Sequence, residues 1–297
     1  MCITLFSTAH PDYHLILLSN RDEFLDRPTA RADWWQTPHQ NILGGRDLQR
    51  SERGTWLGIT KEGRIAVLTN FRDEGAEISK DKSRGGIVNA YLSLPPHGTE
   101  SPEDFTKGLI GGMGINDVGG FSLLFGRLVR SVESGSLELK ELNVVSNRTA
   151  SPEDIVRIKQ PDGDVHGLSN SHYGDISWPK IVHGEQLLKQ AIHGNLKRQH
   201  GDDVFVEHLF DVLSVDTMPK RREDDDWPTY ARQLRNSIFI PPVRDEKVGT
   251  YGTQKQSVVL INKNGKATFV EKTLFDEQGS RVEDGGAERR FTFDIAT

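Results

Sequence analysis

The chain opens with two apolar, β-prone runs, Met1-Cys2-Ile3-Thr4-Leu5-Phe6 and Tyr13-His14-Leu15-Ile16-Leu17-Leu18, joined through Ala9-His10-Pro11-Asp12. Proline and aspartate favour a turn between such runs, so the first twenty residues read as a β-hairpin. A turn that sets Thr8 opposite Tyr13 sets Cys2 opposite Ser19, within two positions. Asn20-Arg21-Asp22-Glu23 follow at once, so the register brings four polar residues alongside Cys2. Leu-Ile-Leu-Leu directly before them makes this an abrupt change in a strand that otherwise looks buried.

A second hairpin is predicted from Trp56-Leu57-Gly58-Ile59, a turn at Lys61-Glu62-Gly63, and a return from Arg64 to Thr69 that sets Gly54-Thr55 opposite Thr69-Asn70. Further strands are predicted at Phe121 to Leu128, Leu137 to Val145, Ser257 to Ile261, Ala267 to Glu271 and Phe291 to Ile295. Asn264-Gly265, the strongest short hairpin signal, joins two of them. Helical periodicity marks Pro179 to His193 and Asp203 to Val212, and more weakly Ile87 to Leu94 and Pro102 to Ile110. Strands that open and close the chain around central helices predict an α+β fold. No boundary in composition divides the chain, so one domain over 1–297 is expected. The charged stretches Arg72 to Arg84 and Lys220 to Asp226 read as solvated loops, and the first is also a candidate cover over a site.

Composition narrows the function. Across 297 residues, 37 basic against 43 acidic side chains leave a net charge of −6, which argues against nucleic-acid binding and against a basic membrane-surface protein. Apolar runs of four residues, such as Leu15 to Leu18, fall far short of the roughly 20 that span a bilayer. No signal-like segment opens the sequence and one cysteine forms no intramolecular disulfide, so a reducing, cytoplasmic setting is expected. Asn147-Arg148-Thr149 is then read as a plain loop and not as a glycosylation site. No metal or cofactor is expected: one cysteine and no HExxH pattern argue against zinc, and the glycine clusters match no phosphate-binding fingerprint. His10 and His14, at the predicted turn, are candidate metal or haem ligands but read better as exposed turn residues.

The nucleophile candidate is Cys2. Initiator methionine is commonly removed before a small second residue, which leaves thiol and α-amine on one residue. An α-amine titrates near pH 8 or so and serves as a general base. The plainer alternative is a cysteine acting as a small hydrophobe in the first strand. Arg21 beside the thiol would favour thiolate, and Asp22 would hold the amine or the arginine; the alternative is a strand-end ion pair of little consequence. Asn70, ending its strand, and Asn170, in Gly167-Leu168-Ser169-Asn170-Ser171, are candidate oxyanion donors or simple backbone caps. Trp34, Trp35 and Trp56 either line an apolar pocket or pack the core.

These residues resemble the NRDE family, named for the tetrapeptide at 20–23 and also called the transport and Golgi organisation protein 2 family. The ordered set is Met1-Cys2, Asn20-Arg21-Asp22-Glu23, Arg27-Pro28, Gly44-Gly45-Arg46-Asp47, Gly54-Thr55-Trp56-Leu57-Gly58, Leu68-Thr69-Asn70, Ser83-Arg84-Gly85, Gly167 to Ser171, Trp178-Pro179-Lys180 and Tyr251-Gly252-Thr253. The resemblance implies an N-terminal nucleophile hydrolase-like αββα four-layer sandwich with two mainly antiparallel sheets. Among such hydrolases the pattern looks most like cysteine amidases that cleave bile-salt conjugates and penicillin V. It implies Cys2 as nucleophile, Arg21 and Asp22 as orienting charges, and Asn70 and Asn170 as oxyanion donors. Many members carry arginine after Tyr-Gly-Thr; here Gln254 follows, and Lys255 is the nearest cation. The family's cellular associations imply two roles. One is a hydrolase of an amide or thioester acting in Golgi organisation and secretory transport. The other is a non-catalytic carrier of haem, an acyl lipid or another small apolar ligand, with peripheral contact at Golgi or mitochondria.

Overall fold

The computed structural model describes residues 2–71, 83–96, 98–115, 118–159, 163–221, 226–276, 278–283 and 287–296. Its strands are β1 (Ile3–Ser7), β2 (Tyr13–Phe24), β3 (Thr29–Trp34), β4 (Ile42–Asp47), β5 (Leu57–Thr60), β6 (Arg64–Asn70), β7 (Phe121–Arg130), β8 (Leu137–Ser146), β9 (Val156–Lys159), β10 (Val165–Leu168), β11 (Val243–Asp245), β12 (Gly249–Asn262), β13 (Lys266–Thr273) and β14 (Glu288–Asp294). The helices are α1 (Arg84–Leu92), α2 (Pro102–Gly108), α3 (Pro179–Arg198), α4 (Asp202–Leu213) and α5 (Trp227–Ala231). They build two seven-stranded sheets. One runs β10-β1-β2-β12-β13-β14 with β11 against β12; the other runs β3 to β9 in chain order. Every strand pairing described is antiparallel.

Side-chain alternation divides the apolar runs between layers. Leu15 and Leu17 of β2, Val259 and Ile261 of β12, Ile65 and Val67 of β6 meet between the sheets. Their neighbours Ile16, Leu18, Val258 and Leu260 face outward under Leu188 and Ile192 of α3 and Leu209 of α4. Ala66 and Leu68 face the other way, under Ile87 and Val88 of α1 and Phe105 of α2. Strands covered on both faces carry unbroken apolar runs, which is why Leu15 to Leu18 reads as it does. The layers are therefore helix, sheet, sheet, helix, the four-layer αββα arrangement expected.

The N-terminal hairpin forms, with its register at the edge of the expected range and a longer second strand. Ile3 faces Asn20, so the ladder extended by one step sets Cys2 beside Arg21, two positions from Ser19. β2 continues through the polar tetrapeptide to Phe24 because β12 pairs with it along that whole length. The second hairpin keeps its expected register, with Leu57 opposite Val67. α3 and α4 cover the segments where periodicity predicted helix. β3, β4, β9, β10 and β11 carry little apolar alternation and were legible in no run. His10 and His14 are buried, not exposed: His10 packs on Tyr13 and Phe205 and pairs with Asn195 at 3.0 Å, because α3 and α4 close over the turn. The charged stretches fall largely on residues 72–82 and 222–225, which lie outside the described residues. Among the described residues no helix is long and apolar enough to cross a membrane.

Candidate active site

Pleating splits the tetrapeptide between the two faces of the sheet. Asn20, fully buried, donates to the carbonyls of Leu213 and Ile238, both at 2.8 Å, and so ties the end of α4 to the sheet. Its work is structural. Arg21 turns the other way, toward the second sheet. Its guanidinium lies 4.8 Å from the Trp56 ring centroid and 3.8 Å from the Asp47 carboxylate, and it donates to Gln254 Oε1. Burial pulls this guanidinium below its ordinary pKa, opposed by Glu23 first and then by Cys2 and Asp47. Glu23 pairs with Arg27 at 3.8 Å near the strand end.

Cys2 is half-buried, just before β1, with Sγ 3.8 Å from the Asp22 carbonyl oxygen. The same carbonyl accepts from Tyr251 Oη at 3.0 Å. The Asp22 carboxylate is buried. Oδ1 accepts from Thr253 Oγ1 at 2.7 Å, and Oδ2 lies 3.8 Å from Lys180 Nζ. Lys180 has no exposed surface. Burial pulls its ammonium below the ordinary lysine value, while Asp22 and then Cys2 pull it back.

The two asparagines arrive from different sheets. Asn70 ends β6 and Asn170 follows β10, and the Asn170 side-chain amide donates to the Asn70 carbonyl. The segment 169–171 is also held by Thr69 Oγ1 on the Ser169 carbonyl at 2.7 Å and Ser122 Oγ on the Ser171 carbonyl at 3.1 Å. Ser169 Oγ in turn donates to the Cys2 carbonyl at 2.6 Å. All five candidates therefore gather at one end of the layers: Cys2, Arg21 and Asp22 on one sheet, with Asn170 reaching from it to Asn70 on the other. Asn70 Oδ1 is buried and has no hydrogen-bond partner among the described residues.

Close backbone approaches explain two glycine motifs. A Cβ on Gly54 would sit 2.7 Å from the Gly85 backbone, so the loop before β5 and the start of α1 touch. A Cβ on Gly167 would meet Ile181 at 2.7 Å, which lets the first turn of α3 lie flat on β10 and aims Lys180 at Asp22.

Gln254 sits in a β-bulge between Thr253 and Lys255, which re-aims a side chain out of the ladder. From there it bonds Arg21 and reaches the carbonyls of Leu25 and Arg27 at 3.3 and 3.4 Å. Lys255 follows the bulge and sits opposite Arg21 on β2. It pairs with Glu271 at 3.4 Å and donates to Thr273 at 3.0 Å. A cleft of about 340 Å³ opens here, walled by Thr29, Arg31, Gln254, Lys255 and Thr273 among others. Trp35 packs in the core under α1, and Trp34 and Trp56 pack partly buried between the sheets. Sequence reading missed Lys180, Thr253, Tyr251 and Asp47 as neighbours of the site. Each lies in a segment of the motif set, but only the fold brings Lys180, Thr253 and Tyr251 to residue 22 and Asp47 to residue 21.

The family model described as Transport and Golgi organisation 2 matches residues 1–276. The chain is 31% identical over 291 residues to the Transport and Golgi organization 2 homolog of Mus musculus, covering 95% of this chain and 96% of that protein. It is 28% identical to Transport and Golgi organization protein 2 of Drosophila melanogaster, covering 92% of each. Among solved structures it is similar to a conjugated bile acid hydrolase from Clostridium perfringens, at 13% identity and a TM-score of 0.41, over 100% of this chain and 97% of that one.

Proposed function

Because the chain belongs to the Transport and Golgi organisation 2 family, we propose that it is an N-terminal cysteine hydrolase of an amide or thioester that serves Golgi organisation and secretory transport. The observation that carries this reading is the convergence on Cys2: its sulfur lies 3.8 Å from the Asp22 carbonyl, with Arg21 next along the ladder and Asn70 and Asn170 joined nearby. Once Met1 is removed, the Cys2 amine takes the thiol proton and the sulfur attacks the substrate carbonyl carbon. Asn170 exchanges its bond to the Asn70 carbonyl for the developing oxyanion. The amine returns the proton to the leaving nitrogen or thiolate, and water then releases the acyl group. The protein acts in the cytoplasm with peripheral contact at the Golgi.

The test needs no natural substrate. The mature N-terminal residue is read by peptide mass, and the protein is treated with a thioester acylating probe. Cys2 is expected at the N-terminus, carrying one acyl adduct, with acylation slowed about 100-fold by Arg21→Ala or Asp22→Ala. Retained Met1, or acylation indifferent to both substitutions, overturns the reading. Saturable haem or acyl-CoA binding that survives Cys2→Ser, with no adduct formed, would move the function to a carrier.

A further inference from the structure

Lys180 stands out among the buried charges. It is wholly inaccessible, it is the second residue of α3, and its ammonium faces the Asp22 carboxylate at 3.8 Å. Both placements are unfavourable for a lysine. A cation in the first turn opposes the helix dipole, and a buried ammonium forfeits its hydration. Leucine or methionine there would fill the same volume under the core of α3 without either cost. The lysine answers Asp22, and Asp22 in turn meets Cys2 through its carbonyl oxygen.

We propose that Lys180 is a positioning residue for Cys2: its buried ammonium fixes and neutralises the Asp22 carboxylate, so that the thiol ionises beside a closed ion pair and not beside a bare anion. The carboxylate is held from both sides. Thr253 donates to Oδ1 at 2.7 Å and itself accepts from the Ile240 N–H at 2.8 Å, which locks its hydroxyl in the donating direction. Without Lys180, the anion would repel a thiolate at Cys2 and hold any nearby ammonium charged.

Among the described residues, the other charges near the thiol and its neighbour Arg21 come from several elements. Arg21, Asp22 and Glu23 stand on β2, Arg27 follows it, and Asp47 ends β4, the last three acting on Arg21. Arg84 begins α1, and Lys255 on β12 faces Arg21. Among the described residues, Arg21, Arg84 and Lys180 are cations on which the Cys2 charge acts. Lys180 also faces the Asp22 carboxylate at 3.8 Å, so its removal alters both the charge at the thiol and the state of the carboxylate.

This inference rests on the reading of Cys2 as the nucleophile, yet its test is separate. Cys2 is the sole cysteine, so the rate of iodoacetamide alkylation against pH reports one thiol, whether or not Met1 is retained. Lys180→Gln keeps a hydrogen-bond donor toward Asp22 and removes the charge. It is expected to raise the apparent thiol pKa by about one unit, slowing alkylation near neutral pH about tenfold. Lys180→Met combined with Asp22→Asn removes both charges and is expected to return the pKa close to the wild-type value. An unchanged pKa in Lys180→Gln, or an equal rise in the charge-free double variant, overturns the proposal. Since that double variant leaves no buried charge unpaired, it remains measurable even if a single variant does not fold. Loss of the acylation described above with these shifts intact would sink the hydrolase reading and leave the Lys180 assignment standing.

Discussion

Two buried lysines flank the same stretch of sheet and do different things. Lys255 and Glu271 form an ion pair at 3.4 Å; Lys255 also donates to Thr273 at 3.0 Å, and Glu271 Oε1 accepts from the Ala32 N–H at 2.8 Å. Because Ala32 belongs to β3, that pair pins one sheet to the other. Lys180 and Asp22 are further apart, at 3.8 Å, and abut the half-buried sulfur of Cys2. A buried ion pair contributes little net stability by itself, yet it costs a great deal when one member is lost. Each pair holds a hydroxyl, Thr273 in one and Thr253 in the other; the difference is that the first also takes a backbone N–H from the second sheet, while the second lies beside a thiol.

The largest effect that tests this contrast is a single truncation at the pin. Lys255→Met leaves Glu271 buried without its cation and is expected to cost about 3–5 kcal/mol in urea unfolding, while the alkylation profile of Cys2 stays put. A shifted thiol titration in that variant would break the comparison. Next in size are the charge-free doubles. Lys255→Met with Glu271→Leu strands the Ala32 N–H and should retain a deficit of about 1–3 kcal/mol. Lys180→Met with Asp22→Asn keeps an acceptor for Thr253 and should unfold within about 1 kcal/mol of wild type; an equal deficit in both would mean the pairs do the same job.

The smallest effect comes from a third lysine, which meets no anion among the described residues. Lys263 Nζ lies 3.3 Å from His14 Nδ1, and burial, then the Lys263 charge, push His14 down to about 4. A histidine whose folded pKa lies below its ordinary value of about 6.5 takes up a proton more readily when unfolded. Its contribution to stability is therefore whole above about pH 6.5 and declines as the pH falls toward 4. His14→Gln should flatten that part of the pH–stability curve in urea titrations at pH 7 and 4.5, and an unchanged slope would count against it.

Much of this arrangement was legible in the residues themselves. Apolar runs covered on both faces announced central strands, and the abrupt polarity after Leu18 marked the end of the hairpin that bears Cys2. What stayed hidden depends on long-range pairing. The register of β1 against β2 lies two positions from the central value the turn suggested, since β2 is also paired with β12 on its other side. Lys180 offered no local signal, since a lysine after Trp-Pro looks like any helix start; its meaning comes from the close approach of α3 to Gly167. His10 and His14 looked exposed because their cover arrives far later in the chain: α3 and α4 over His10, and Lys263 beside His14. Gln254 revealed its aim only once the bulge turned it toward Arg21.

The partnership of β2 with β12 has a consequence for how the molecule comes into being. Asp22 and Thr253, bonded in the finished protein, are 231 positions apart. A ribosome therefore exposes the N-terminal strands long before the segment that completes the carboxylate's surroundings has been made. Such distant pairings fold slowly because the loop entropy is surrendered before the contacts form. The Asp22 carboxylate thus gains its Thr253 partner only near the close of synthesis, so a nascent or truncated chain presents Cys2 without the surroundings it has in the finished fold.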